Sequence, residues 1–130
     1  MKETVHESAR GTLRLQLGDS GLLIGKVVGH YGVDLLASYV DGMNAAARAG
    51  RVVAFHDWEE METYDSECRK VMTDWTLRHR HMVERGHILV RSKLVSMGVT
   101  TASLLIGSDL IVTYTQRAEF EAVLRPHLHR

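Results

Sequence analysis

The chain has 130 residues, 45% of them apolar and 25% charged, the balance of one soluble globular domain, placed at residues 1–130, with a single core. Sixteen basic side chains match sixteen acidic ones, so the formal net charge is zero. That balance argues against a nucleic-acid binder that works by bulk electrostatics and removes the repulsion that keeps copies apart. The first ten residues are a polar lead-in or an edge strand. Thr12 to Leu17 alternates strictly, with Leu13, Leu15 and Leu17 on one face, as a half-buried strand does. Gly18-Asp19-Ser20-Gly21 is a turn by composition, and Leu22 to Val28 returns as the second strand of a hairpin. Gly25 and Gly29 interrupt that strand and mark a bulge or a close backbone approach.

Val33 to Arg48 reads as a helix, with Leu36, Tyr39, Val40, Met43 and Ala47 on one stripe and Gly50 as its stop. Arg51 to His56 is apolar on both faces, as expected of a central parallel strand. An acidic loop follows, Asp57-Trp58-Glu59-Glu60-Met61-Glu62. A long helix then runs from about Thr63 to Arg85, with Cys68, Val71, Met72, Trp75, His79 and Met82 spaced by three or four residues on one face. His87 to Val90 is a further strand. Ser92 caps a weaker helix carrying Val95, Val99, Ala102, Leu105 and Ile106. Gly107-Ser108-Asp109 is a turn and Leu110 to Tyr114 a short strand. Ala118 to Leu124 is a last helix, with Phe120, Val123 and Leu124 inward, ending near Pro126. The order predicts an α/β fold: a hairpin leading into right-handed crossovers, with a mixed, mostly parallel sheet of about five strands and about four helices.

An N-terminal hairpin followed by alternating helices and strands over nearly the whole chain resembles the STAS domain superfamily, and within it the SpoIIAA-like branch. The local motif is Asp65-Ser66 at the start of the long helix. In anti-sigma-factor antagonists of this superfamily an Asp-Ser pair stands there, and its serine is phosphorylated by a partner kinase that switches binding off. The resemblance therefore implies a non-enzymatic regulatory module with no cofactor, a protein partner such as an anti-sigma factor or a kinase, and Ser66 as the candidate phosphosite. The family pattern continues with small residues, whereas this chain continues Glu67-Cys68-Arg69. The SpoIIAA-like branch also resembles small lipid-binding domains, and that likeness implies no phosphosite.

The residues themselves offer several sites. A phosphate on Ser66 meets free backbone N–H groups and the positive end of the helix dipole. Glu59, Glu60, Glu62, Asp65 and Glu67 oppose it, and a plain helix cap by Thr63, Asp65 or Ser66 competes as the explanation. Trp58, Met61 and Tyr64 are interleaved with acids, the pattern of an interface hot spot if exposed and of core if buried. The docking face expected for a protein partner is thus Asp57, Trp58, Glu59, Glu60, Met61, Asp65, Ser66 and Arg69. The alternative is a small-ligand or lipid carrier, with an apolar pocket between the sheet and helices carrying Met43, Met72, Met82 and Met97.

An enzyme built on Cys68 with His56 as its base is a third reading, set against a buried inert thiol. Neither the eight histidines nor the acidic loop shows the spacing of a metal site. Arg78, Arg80, His81 and Arg85 make a basic tail to the long helix, so its acidic head and basic tail allow a homodimer. The single cysteine, the polar N-terminus without signal-peptide character and the lack of an apolar run near 20 residues lead to a cytoplasmic expectation, with no transmembrane segment.

Overall fold

β4, Val52–Trp58, lies at the centre of the molecule, and every residue in it is buried. The computed structural model describes residues 1–107 and 109–128. The other strands are β1 Lys2–Glu7, β2 Gly11–Leu17, β3 Leu22–Tyr31, β5 Met61–Tyr64, β6 Val83–Val90 and β7 Ile111–Tyr114. The helices are α1 Val33–Ala49, α2 Ser66–Arg78, α3 Lys93–Ile106 and α4 Arg117–Leu128. The sheet has seven strands in the order β1-β2-β3-β4-β6-β7, with β5 paired to the far end of β3. β2 runs antiparallel to both of its neighbours, β1 and β3, and all later pairings are parallel. The expected hairpin, crossovers and four helices are therefore present, and the lead-in is an edge strand.

The additional strand, β5, has a physical cause. β3 pairs with β4 through Leu22 to Lys26, then with β5 through Gly29 to Tyr31. Gly29 sits at the register shift with φ of +82°, a left-handed conformation that a side chain disfavours. Its N–H donates to the Glu60 carbonyl at 2.9 Å. β4 and β5 thus follow one another along the same strand, parted only by the turn at Glu59 and Glu60. The segment expected to be an exposed acidic loop is mostly sheet.

The long helix is also shorter than its periodicity implies. α2 ends at Arg78, a single 3₁₀ turn covers Arg80–Met82, and β6 begins at Val83. Arg85 and Gly86, expected to close the helix, lie within β6. The helical spacing of Met82 is a coincidence of sequence: Met82 packs on the core from the 3₁₀ turn. Arg78 pairs with Asp74 at 2.9 Å, and Arg80 bonds the Ile106 carbonyl and pairs with Asp109. Arg78, Arg80, His81 and Arg85 are thus spread over α2, the 3₁₀ turn and β6 and do not form a basic tail on one helix. α4 continues through Pro126 to Leu128 instead of ending there. Leu105, expected inward on α3, is exposed. The turn expected at Ser108 falls partly outside the described residues.

Helices cover both faces of the sheet. α1, α2 and α3 lie on one face over Leu13, Leu15, Val27, Ala54, Trp58 and Ile88. α4 lies on the other, where Phe120 packs on Leu22, Ile24, Val53, Phe55 and Leu89. Among the described residues no helix is long and apolar enough to cross a membrane.

Candidate functional site

Side-chain alternation along β4 sends Ala54, His56 and Trp58 toward α1–α3, and Val53, Phe55 and Asp57 toward α4. On the first face Tyr39 of α1 reaches the strand ends. Its approach depends on Gly25, because a Cβ there would collide with the Tyr39 hydroxyl. Trp58 Nε1–H donates to the Tyr39 oxygen at 3.1 Å, and that hydroxyl is bonded in turn to His56 Nδ1. Trp58 N–H can only donate, so among the described residues Nδ1 is the one acceptor bonded to the buried Tyr39 hydroxyl; all three groups are satisfied when the hydroxyl donates to Nδ1 and the ring proton of neutral His56 is assigned to Nε2. Burial, reinforced by nearby His87, pushes His56 down to about 3, so the ring is neutral at ordinary pH. Burial raises Tyr39 and Tyr31.

Next to this chain of hydrogen bonds lies a cavity of about 80 Å3 between the sheet, α2 and α3. His56, Trp58, Met61 and Ile88 line it from the sheet, Arg69 and Met72 from α2, and Val95, Gly98 and Val99 from α3. Gly98 lets Tyr64 approach α3, since a Cβ there would meet the Tyr64 hydroxyl. Two threonines in the wall, Thr73 and Thr76, donate to their own helix carbonyls, Arg69 O at 2.7 Å and Met72 O at 2.9 Å. Their hydroxyls are thereby satisfied and the wall is apolar in effect.

On the opposite face Arg117, in the first turn of α4, receives the acidic residues. Its Nη2 donates to both Asp57 oxygens at 2.8 and 2.9 Å, and its Nε to Glu59 at 2.8 Å. Glu60 pairs with Lys26 at 3.1 Å. Asp65 stands at the start of α2 without capping it. Its carboxylate instead accepts from Val33 N–H at the start of α1, at 3.0 Å, and bonds His30 Nε2 at 3.0 Å. Those contacts, the Val33 N–H first, hold Asp65 below the usual carboxylate range. Ser66 is exposed as the first residue of α2.

The eight residues expected to form one docking face are therefore dispersed. Asp57 and Glu59 serve Arg117 and Glu60 serves Lys26. Trp58 and Met61 are buried, 9% and 2% exposed, and line the cavity with Arg69. Only Asp65 and Ser66 remain at an accessible helix start. Burial removes Trp58 and Met61 as hot spots because a partner cannot reach them without opening the sheet's helix cover. Of the four methionines expected around a pocket only Met72 lines this one; Met43 is in the core and Met97 is 68% exposed. The Cys68 thiol donates to the Tyr31 carbonyl at 3.5 Å. Burial, with Asp65, Asp34 and Glu67 nearby, pushes it up to about 12, the reverse of nucleophile activation. His79 stacks on Trp75 with ring centroids 4.1 Å apart and bonds the Trp75 carbonyl, as a satisfied histidine.

Tyr39 and Arg117 carry much of this arrangement, although the sequence pattern marks Tyr39 only as part of a helix stripe and Arg117 not at all. Glycine in the middle of an apolar strand, at Gly25, is the signal that a large aromatic side chain approaches there. No signal ties Arg117 to Asp57, sixty residues away.

No family model matches the chain, and no curated protein matches it. A solved structure from Shewanella loihica PV-4, an uncharacterized protein of the DUF3478 family with a SpoIIAA-like fold, superposes with a TM-score of 0.60 at 14% identity. The match covers 95% of this chain and 92% of that one. At that identity the likeness establishes the fold, which is SpoIIAA-like.

Proposed function

We propose that this SpoIIAA-like chain is a non-enzymatic binding module that takes a small apolar ligand between its sheet and helices α2 and α3. The observation that carries this reading is the position of Trp58 and Met61. Both had the composition of an exposed docking loop, yet they wall an 80 Å3 cavity. An apolar hollow with a few convergent polar groups and a strongly shifted titratable residue is the usual form of a ligand site. The volume suits a small molecule or the end of a chain rather than a whole lipid. Xenon under pressure tests it: the methyl resonances of Ile88, Val95 and Val99 shift in the native protein and not in Ala102→Leu, which fills the space. Unshifted methyls in the native protein would refute the pocket.

A second reading keeps a protein partner, and Ser66 favours it. The hydroxyl is exposed on the first helical residue, and Asp65 is turned away toward α1. A phosphate there gains the helix N-terminus and adds about −1.5 to −2 charges to the surface. Pull-down with wild type, Ser66→Ala and Ser66→Asp tests this reading. Loss of a partner in Ser66→Asp alone supports the switch, and equal recovery by all three ends it.

A further inference from the structure

Resting on that reading of the pocket, we infer that its ligand is a small carboxylate: a short apolar body inside the cavity and an anionic head on Arg69. Among the residues that line the cavity Arg69 is the only one with a formal charge at neutral pH, since His56 is held neutral. Arg69 is half-exposed, and its guanidinium makes no ion pair or side-chain hydrogen bond among the described residues. Lys26, Arg78 and Arg117, by contrast, are held by Glu60, Asp74 and Asp57. A free guanidinium at the side of an apolar hollow is matched by a carboxylate, which it binds through parallel N–H donors.

His56 supplies the second polar contact. The Trp58–Tyr39–His56 chain leaves the proton on Nε2, and no described residue accepts it. His56 lines the cavity, so that N–H is a neutral donor available to a ligand oxygen. The positive charge is supplied by Arg69 and the neutral donor by His56, a division that selects an acid over a base. The cavity volume of about 80 Å3 is roughly half that of an engineered apolar cavity of about 150 Å3 that takes up benzene or xenon, so it suits a short aliphatic body.

The test uses the whole chain at neutral pH and three probes: xenon, butan-1-ol and butanoate, read by methyl and histidine-ring NMR. Butanoate is expected to bind about tenfold more tightly than butan-1-ol, the worth of one hydrogen-bonded charge. It also shifts the His56 Nε2–H resonance. The preference disappears in Arg69→Gln and persists in Arg69→Lys, which keeps the charge; both variants are expected to fold because the Arg69 guanidinium makes no ion pair among the described residues. Equal affinity for the acid and the alcohol, or a preference unchanged in Arg69→Gln, overturns the carboxylate inference and leaves the pocket. Absence of any xenon response overturns the pocket and this inference together.

Discussion

The two faces of the sheet are built on the same strands and differ in how completely they are filled. On the α4 side Phe55 stacks on His87 with centroids 4.5 Å apart, meets Phe120 edge-on at 5.7 Å, and is fully buried. Arg117 closes that side by gripping Asp57 and Glu59. On the side of α1, α2 and α3 the rings of Tyr31, Tyr39 and Trp58 pack on one another at 5.5 to 6.4 Å, and a hollow remains beneath α2 and α3. A cavity forgoes dispersion contacts that a filled core keeps. The α4 side is thus filled and closed, and the other face gives up some packing at the hollow beneath α2 and α3.

The largest expected effect falls on the filled face. Phe120→Ala leaves a cavity beside Phe55 and is expected to cost about 3–5 kcal/mol in urea unfolding. Ligand affinity measured on the folded variant is expected to stay at the native value, and a parallel loss of affinity would show that the two faces are not separable. Tyr39→Phe acts on the hollow face. It leaves Trp58 Nε1–H and His56 Nδ1 without their shared partner, at about 1–3 kcal/mol. Unlike Phe120→Ala, it is also expected to move the His56 ring resonances, because the tautomer is no longer held.

Acid titrates both faces at once. His56 faces the hollow and His87 faces α4. Burial is the main cause that depresses both, from 6.5 to about 3 and about 4 respectively. His87 is further lowered by Arg85 and bonds the Tyr114 hydroxyl at 2.8 Å. The unfolded chain takes up these protons near its ordinary value, ahead of the folded one. The stability contribution is therefore complete above about pH 6.5 and is lost as pH falls toward 4 and then 3, at about 1.4 kcal/mol per pH unit for each imidazole. Urea midpoints measured between pH 7 and pH 4 check the slope. A flat profile would mean that neither ring is held neutral. The smallest effect is reserved for Ser66→Asp at the exposed start of α2, which is expected to change stability by less than about 0.5 kcal/mol. A larger change would place Ser66 in the packing of the hollow face.

The order of elements was legible because it depends on local pattern. Leu13, Leu15 and Leu17 alternate as a half-buried strand must, and Tyr39, Met43 and Ala47 repeat as a helix must. Ser92 caps α3 through Val95 N–H as its type and position imply. The candidate site was far less legible. Met61 to Tyr64 is strand because β3 offers a free edge there, although Glu62 and its acidic neighbours disfavour a strand by composition. Val83 begins β6 where spacing alone extends a helix, because pairing with Val52 outweighs helical propensity.

By itself the sequence determined the α/β alternation, the hairpin, the central buried strand and an Asp65-Ser66 helix start, since each follows from periodicity and turn chemistry within a few residues. Only the tertiary structure decided that Trp58 and Met61 turn inward, that Asp57 answers to Arg117, that Asp65 caps the neighbouring helix, and that a hollow stays open beside His56. Those outcomes depend on which side chains meet across long separations in the chain. A solvent-facing and a core-facing aromatic residue read alike until the partner strand and helix are in place.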